Sequence, residues 1–282
     1  MRRTTFLAVA VTAVLTLAGC DDDHKQEPAP AQGPTTTPTP VVAPPPPPAP
    51  RIGECYRLSY DEALAPTNTD SPVPCDKGHT SQTFAVGQLN LISNGHLLAV
   101  DSDAVQKQVA KRCPAQLGSY VGGTEAQRRL SLLRPVWFTP TVEQSDAGAS
   151  WYRCDVIAVT GDNAVAKVDH KFAGALKEPA GRAEFAMCAT AQPGTPQFSR
   201  VLCGEDHTWK AISVVDLADK ARKKGVYPGE DTVRNAGQDA CQEAARAIAS
   251  DALDYEWGYE WPTKDQWKAG QTYGRCWSPD PA

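Results

Sequence analysis

Two short stretches carry side chains spaced for chemistry. Cys75-Asp76-Lys77-Gly78-His79-Thr80 returns 128 residues later as Cys203-Gly204-Glu205-Asp206-His207-Thr208. A thiolate and an imidazole four residues apart can ligate zinc or copper, and a histidine working with a distant carboxylate can serve as a general base in hydrolysis. A metal site, however, needs three or four ligands and free thiolates, and each copy offers one such histidine beside an even set of cysteines. The sequence holds no G-x-S-x-G elbow, H-E-x-x-H pair or phosphate-binding loop. The expectation is therefore a non-enzyme with no cofactor and no metal, each imidazole ordering its own turn by a hydrogen bond to backbone. The alternative is an envelope hydrolase or metal-dependent enzyme that uses His79 or His207.

A second candidate is aromatic. Tyr255, Trp257, Tyr259 and Trp261 alternate with Glu256, Gly258 and Glu260. On a strand these four rings share one face, which makes either a stacking platform for sugar rings, with carboxylates beside it for hydroxyls, or a buried face of a sheet.

The elements that position these residues come from a tandem duplication. Cys113 recurs as Cys241 at the same offset of 128, and the block Pro140 to Cys154 matches Pro262 to Cys276 at an offset of 122. The fold class expected is α+β: two copies of a small disulfide-stapled module, each a small, mostly antiparallel sheet with one main helix. Module 1 spans 51–160, a polar connector 161–180, and module 2 181–282. In module 1, Gly53 to Tyr56 opens with a short strand, 61–74 reads as a loop, and 83–89 as a strand. A helix capped by Asp101 or Ser102 follows, with Val105, Val109, Cys113, Leu117 and Val121 along one face. Pro114 lacks an N–H and crowds the carbonyl of Ala110, so a kink or restart is expected there, with a straighter helix in the second copy around Val233, Cys241, Ala245 and Ile248. Leu132 to Phe138 and Trp151 to Ile157 read as strands joined by a short helix. Its capping box pairs Thr141 with Gln144, and Thr263 and Gln266 repeat it.

The nine cysteines divide as Cys20 plus four per copy. Four allow three pairings. We favour Cys55–Cys75 and Cys113–Cys154, repeated as Cys188–Cys203 and Cys241–Cys276. The reason is that the first loop changes length between copies, as a stapled loop can, whereas the step from Cys75 to Cys113 is conserved in the step from Cys203 to Cys241. No C-x-x-C occurs, which argues against redox catalysis.

The N-terminus addresses the chain. Met1-Arg2-Arg3 is a positive start, Phe6 to Leu17 an apolar stretch, and Leu17-Ala18-Gly19-Cys20 a small-residue cleavage site ending in cysteine, so residues 1–20 read as a lipoprotein signal peptide. Acylation of Cys20 would supply the two chains that stable membrane anchoring requires, placing the protein on the extracytoplasmic face of the cell membrane with the lipid bilayer as its first partner. Residues 21–50 hold eleven prolines and no aromatic residue, which makes them a disordered spacer. In polyproline II, at about 3.1 Å per residue, it would reach roughly 90 Å. The net charge of −5, with no basic stripe, excludes nucleic acid as a partner.

Gly53-Glu54-Cys55-Tyr56, Val73-Pro74-Cys75 ahead of His79, the helix cysteine Cys113 and the closing Cys154 together resemble the actinobacterial septum-formation domain family. Gly78 and Gln82 stand where the family pattern places proline and an acidic residue. The resemblance is strongest over the first module and implies an anchored, disulfide-bonded envelope protein linked to cell division, without a known chemistry. Its expected role is a non-catalytic binding or scaffold module, with envelope proteins or cell-wall glycan as partners.

Overall fold

The computed structural model describes residues 45–280 apart from Asp162, Arg222 and Lys224; the expected leader, Cys20 and most of the proline-rich segment lie outside the described residues. The first repeat opens with β1 (Cys55–Tyr56) and α1 (Tyr60–Leu64), whose start is fixed by a Ser59–Glu62 capping box and which runs into the stretch 61–74 expected to be loop. It continues through β2 (Ser81–Gln88), a small hairpin of β3 (Ile92–Ser93) and β4 (His96–Leu97), and the long helix α2 (Asp103–Val121). Then come α3 (Glu125–Arg129), β5 (Leu133–Phe138), α4 (Val142–Asp146) and β6 (Trp151–Thr160). The strands pair antiparallel in the order β1-β2-β6-β5.

The connector carries β7 (Ala164–Val165), which pairs with β6, and α5 (Pro179–Glu184) runs from its end into the second repeat. The second repeat contains β8 (Met187–Ala189), β9 (Arg200–Leu202), β10 (Trp209–Asp216), α6 (Glu230–Ala236), α7 (Gln238–Arg246), β11 (Gly258–Glu260), α8 (Lys264–Lys268) and β12 (Tyr273–Pro279). Its sheet order is β11-β12-β10-β8-β9. Read from the opening strand, β8-β10-β12-β11 repeats β1-β2-β6-β5. The duplication extends to register: a bulge between Thr83 and Ala85 aligns Ala85 with Cys154, and one between Ala211 and Ser213 aligns Ser213 with Cys276. Both repeats are thus α+β with antiparallel sheets.

The helix α2 buries the face its sequence prescribes, placing Val105, Val109, Cys113, Leu117 and Val121 on the sheet with Phe84, Val156 and Leu133. Ser102 is the N-cap residue, but its side chain makes no capping hydrogen bond. Of the kink or restart expected at Pro114, the restart does not occur. The helix runs through it, because Pro114 and Ala110 lie on the exposed face, where a carbonyl robbed of its donor can turn to water. The straighter helix expected in the second copy is instead divided at Gly237 into α6 and α7. A Cβ on Gly237 would lie 2.1 Å from Cζ of Tyr259, so the ring occupies the space a side chain would need. Ile248 lies beyond the end of α7 and is exposed rather than part of the packed face.

The connector also differs from a polar tether. Phe172 and Leu176 are buried in the first repeat's core together with Phe185, and Val168 bridges to His79. Beyond it, Leu132 N–H donates to the Phe185 carbonyl at 2.9 Å and Met187 N–H to the Leu130 carbonyl at 3.0 Å. These backbone bonds join the repeats, and the described residues fall in one compact unit. Among the described residues, no helix is long and apolar enough to cross a membrane.

Candidate functional site

Each Cys-x-x-x-His-Thr turn is built on a disulfide. The four bonds join Cys55 to Cys75, Cys113 to Cys154, Cys188 to Cys203 and Cys241 to Cys276, the pairs favoured from sequence. In the first turn a single 3-10 turn at Cys75–Lys77 delivers His79 to a site with no solvent exposure. Its Nδ1 lies 2.9 Å from the Cys75 carbonyl, its ring meets Phe172 edge-on at 5.7 Å, and Nε2 has no hydrogen-bond partner. Burial lowers its pKa, partly offset by the Cys75 carbonyl, so the ring is held neutral.

The second turn is more open. His207 Nδ1 lies 2.7 Å from the Glu205 carbonyl, and Nε2 lies 3.7 Å from a carboxylate oxygen of Asp280. Cys188, His207 and Asp280 bring ligand-type atoms within 4.8 Å of one another. The sulfur of Cys188 is consumed in its disulfide with Cys203, so this group presents two ligands rather than three.

The aromatic stretch is only in part a strand. β11 covers Gly258–Glu260, leaving Tyr255 and Trp257 ahead of it and Trp261 beyond it. Tyr259 is buried beside the Cys241–Cys276 disulfide, with Trp257 and Trp261 half-buried against it. Its hydroxyl donates to the Val233 carbonyl at 2.9 Å, and burial pushes its pKa to about 12. Trp257, Tyr259 and Trp261 also line a shallow groove of 350 Å³ with Pro193 and Gln238. The face is chiefly one of packing.

A family model described as septum formation matches residues 47–140 and again 133–276, together most of the chain. The chain belongs to the septum-formation family. Comparison with curated proteins and with solved structures returns no match. Membership links the chain to septum formation.

The two septum-formation repeats differ in their buried charges. In the first, Arg153 is sandwiched between the rings of Tyr56 (3.9 Å) and Phe138 (4.4 Å) and donates to Asn68. Its Nε lies 3.2 Å from Asp155, close enough for an ion pair though poorly aligned for a hydrogen bond. Burial pushes the Asp155 carboxyl up, opposed by Arg153 and by the hydroxyls of Ser81 and Thr83, which donate to it at 2.8 Å. The offset of 122 puts Arg275 at the place of Arg153, Trp277 at that of Asp155 and Glu260 at that of Phe138. With no carboxylate in its own strand, Arg275 turns to Glu260 (3.3 Å), donates to the Arg129 carbonyl of the other repeat (2.9 Å) and donates to the Tyr273 hydroxyl (3.2 Å). Arg200 also pairs with Glu260.

Arg134 of β5 joins this group. Among the described residues its side chain donates only to the carbonyls of Ser131 and Leu133, at 2.9 and 2.7 Å. Burial first, then the neighbouring Arg275 and Arg200, lower it to about 10. Sequence reasoning missed these residues because they come from four strands of two repeats and share no spacing.

Proposed function

We propose that this septum-formation chain is a lipid-anchored protein on the extracytoplasmic face of the cell membrane, where it binds or scaffolds envelope components during septum or wall assembly without performing chemistry itself. The observation that carries the reading is the pair of matched disulfides in each repeat. Such cross-links persist in oxidising compartments and are rare in the cytosol. The sequence Leu17-Ala18-Gly19-Cys20 supplies the matching anchor. The non-catalytic part is supported by the burial of His79 and by the loss of Cys188 to a disulfide, which takes away the thiolate a metal at His207 would need. Envelope proteins or cell-wall glycan are the partners this reading implies beyond the bilayer, and the acidic net charge speaks against nucleic acid.

Fractionation of actinobacterial cells producing the full chain tests the reading. The wild type is expected in the membrane fraction, labelled by an alkyne fatty acid and free of reactive thiols; Cys20→Ala is expected in the medium or extracytoplasmic fraction, unlabelled. A wild type found in the cytosol with reduced cysteines would contradict it.

A further inference from the structure

Arg134, Arg200 and Arg275 converge from β5, β9 and β12 on the seam between the repeats, where Glu260 serves both Arg200 and Arg275. Among the described residues no carboxylate pairs with Arg134. Two guanidiniums therefore share one carboxylate and a third has none, a local excess of positive charge in a protein whose net charge is −5. Through Arg134 and Arg200 that charge faces open space, whereas Arg275 is buried behind them. Arg134 and Arg200 line a cavity of 450 Å³ on one side and, with Arg275, a cavity of 530 Å³ on the other. The larger cavity is walled by Pro135, Trp137 and Tyr273 and by Gln266 and Gln271.

Like charges brought together in a partly desolvated cleft repel, and they persist where something of opposite sign completes the site. A guanidinium fork matches the oxygens of phosphate with two parallel hydrogen bonds. Flat apolar walls and amide side chains beside the fork suit a sugar ring and its hydroxyls. We propose that the cleft between the two repeats binds the phosphate group of a phosphorylated saccharide, with Arg134 as its principal ligand, Arg200 as a flanking one and the buried Arg275 adding positive charge behind them. This deepens the reading of the chain as a binding module by naming the class of ligand, and it explains why two repeats are fused: each supplies part of one site.

Titration calorimetry on the purified full chain, with chloride at matched ionic strength as the reference, tests the proposal using glucose 1-phosphate, inorganic phosphate and glucose. Glucose 1-phosphate is expected to bind more tightly than inorganic phosphate, and glucose alone not to bind. Arg134→Gln removes the charge-assisted fork and should weaken binding at least about tenfold. Glu260→Gln removes the competing carboxylate and should tighten it, so the two variants move affinity in opposite directions even if both alter stability. The proposal is overturned if glucose 1-phosphate has no more effect than chloride, if phosphate binds as well as the sugar phosphate, or if neither variant changes the affinity. The reading of an anchored envelope protein is tested separately by the fractionation of Cys20→Ala, so failure of either leaves the other distinguishable.

Discussion

Replacing Gly237 by alanine should destabilise the protein, against the ordinary rule for helices. The residue has φ −107° and ψ −6°, a conformation open to any amino acid, so backbone geometry does not demand glycine. In a helix interior alanine would gain up to about 1 kcal/mol over glycine. Here the new Cβ would stand 2.1 Å from Cζ and 2.3 Å from the hydroxyl oxygen of Tyr259. The ring cannot simply swing away. It also lies against Gly274, where a Cβ would meet its Cε2 at 2.4 Å, and its hydroxyl is held by the Val233 carbonyl. Displacing it incurs overpacking of about 1–3 kcal/mol and loss of a buried hydrogen bond of about 1 kcal/mol, for a net loss near 2 kcal/mol after the helix gain. For a unit of this size that is a fall in Tm of roughly 4–8 °C. The assay is thermal and urea unfolding with the disulfides intact, in wild-type and Tyr259→Ala backgrounds. In the latter the clash is gone, so Gly237→Ala should become neutral or stabilising. An increase in Tm in the wild type, or an equal loss in both backgrounds, would refute the account of why the second helix is divided.

Two further outcomes follow from the cross-links and the buried imidazole. The Cys113–Cys154 bond closes a sequence separation of 41 and Cys188–Cys203 one of 15. On loop-closure entropy, replacing both cysteines of the former by alanine should cost about 4 kcal/mol and of the latter about 3 kcal/mol, read from urea midpoints; a larger loss from the shorter loop would count against an entropic origin. His79 has a depressed pKa, so the unfolded chain binds its proton more readily than the folded one. Its contribution is complete above the unfolded pKa of about 6.5 and is lost as pH falls below it. Stability measured from pH 8 down to 5 should decline, and the decline should be shallower in His79→Gln; identical slopes would show that the imidazole is not the responsible group.

Much of the fold was legible where the cause is local. The period of Val105, Val109, Cys113, Leu117 and Val121 specified both the helix and its buried face, and the Thr141–Gln144 and Thr263–Gln266 boxes form as their spacing requires. The disulfide pairs could be read because duplication separates a variable loop from a fixed step. What was not legible depends on partners distant in sequence. Gly237 interrupts its helix because of a tyrosine that follows it by 22 positions, and the helix continues through Pro114 on the side that faces water. Phe172 and Leu176 stand in a polar stretch with no periodicity, yet fill the core of the preceding repeat. The arginine cluster has no sequence signature at all. It exists because Glu260 replaces the aromatic partner that the first repeat gives its arginine, and because the seam brings Arg134 to meet it.

The most direct test of the central claim, that this is an anchored envelope protein of septum formation, is time-lapse imaging of the full chain in dividing actinobacterial cells. The chain would carry a C-terminal fluorescent tag that matures in oxidising compartments. The account predicts membrane-bound signal that concentrates at the nascent septum, with retention at the membrane abolished by Cys20→Ala. Signal spread evenly over the envelope throughout division, or confined to the cytosol, would contradict it.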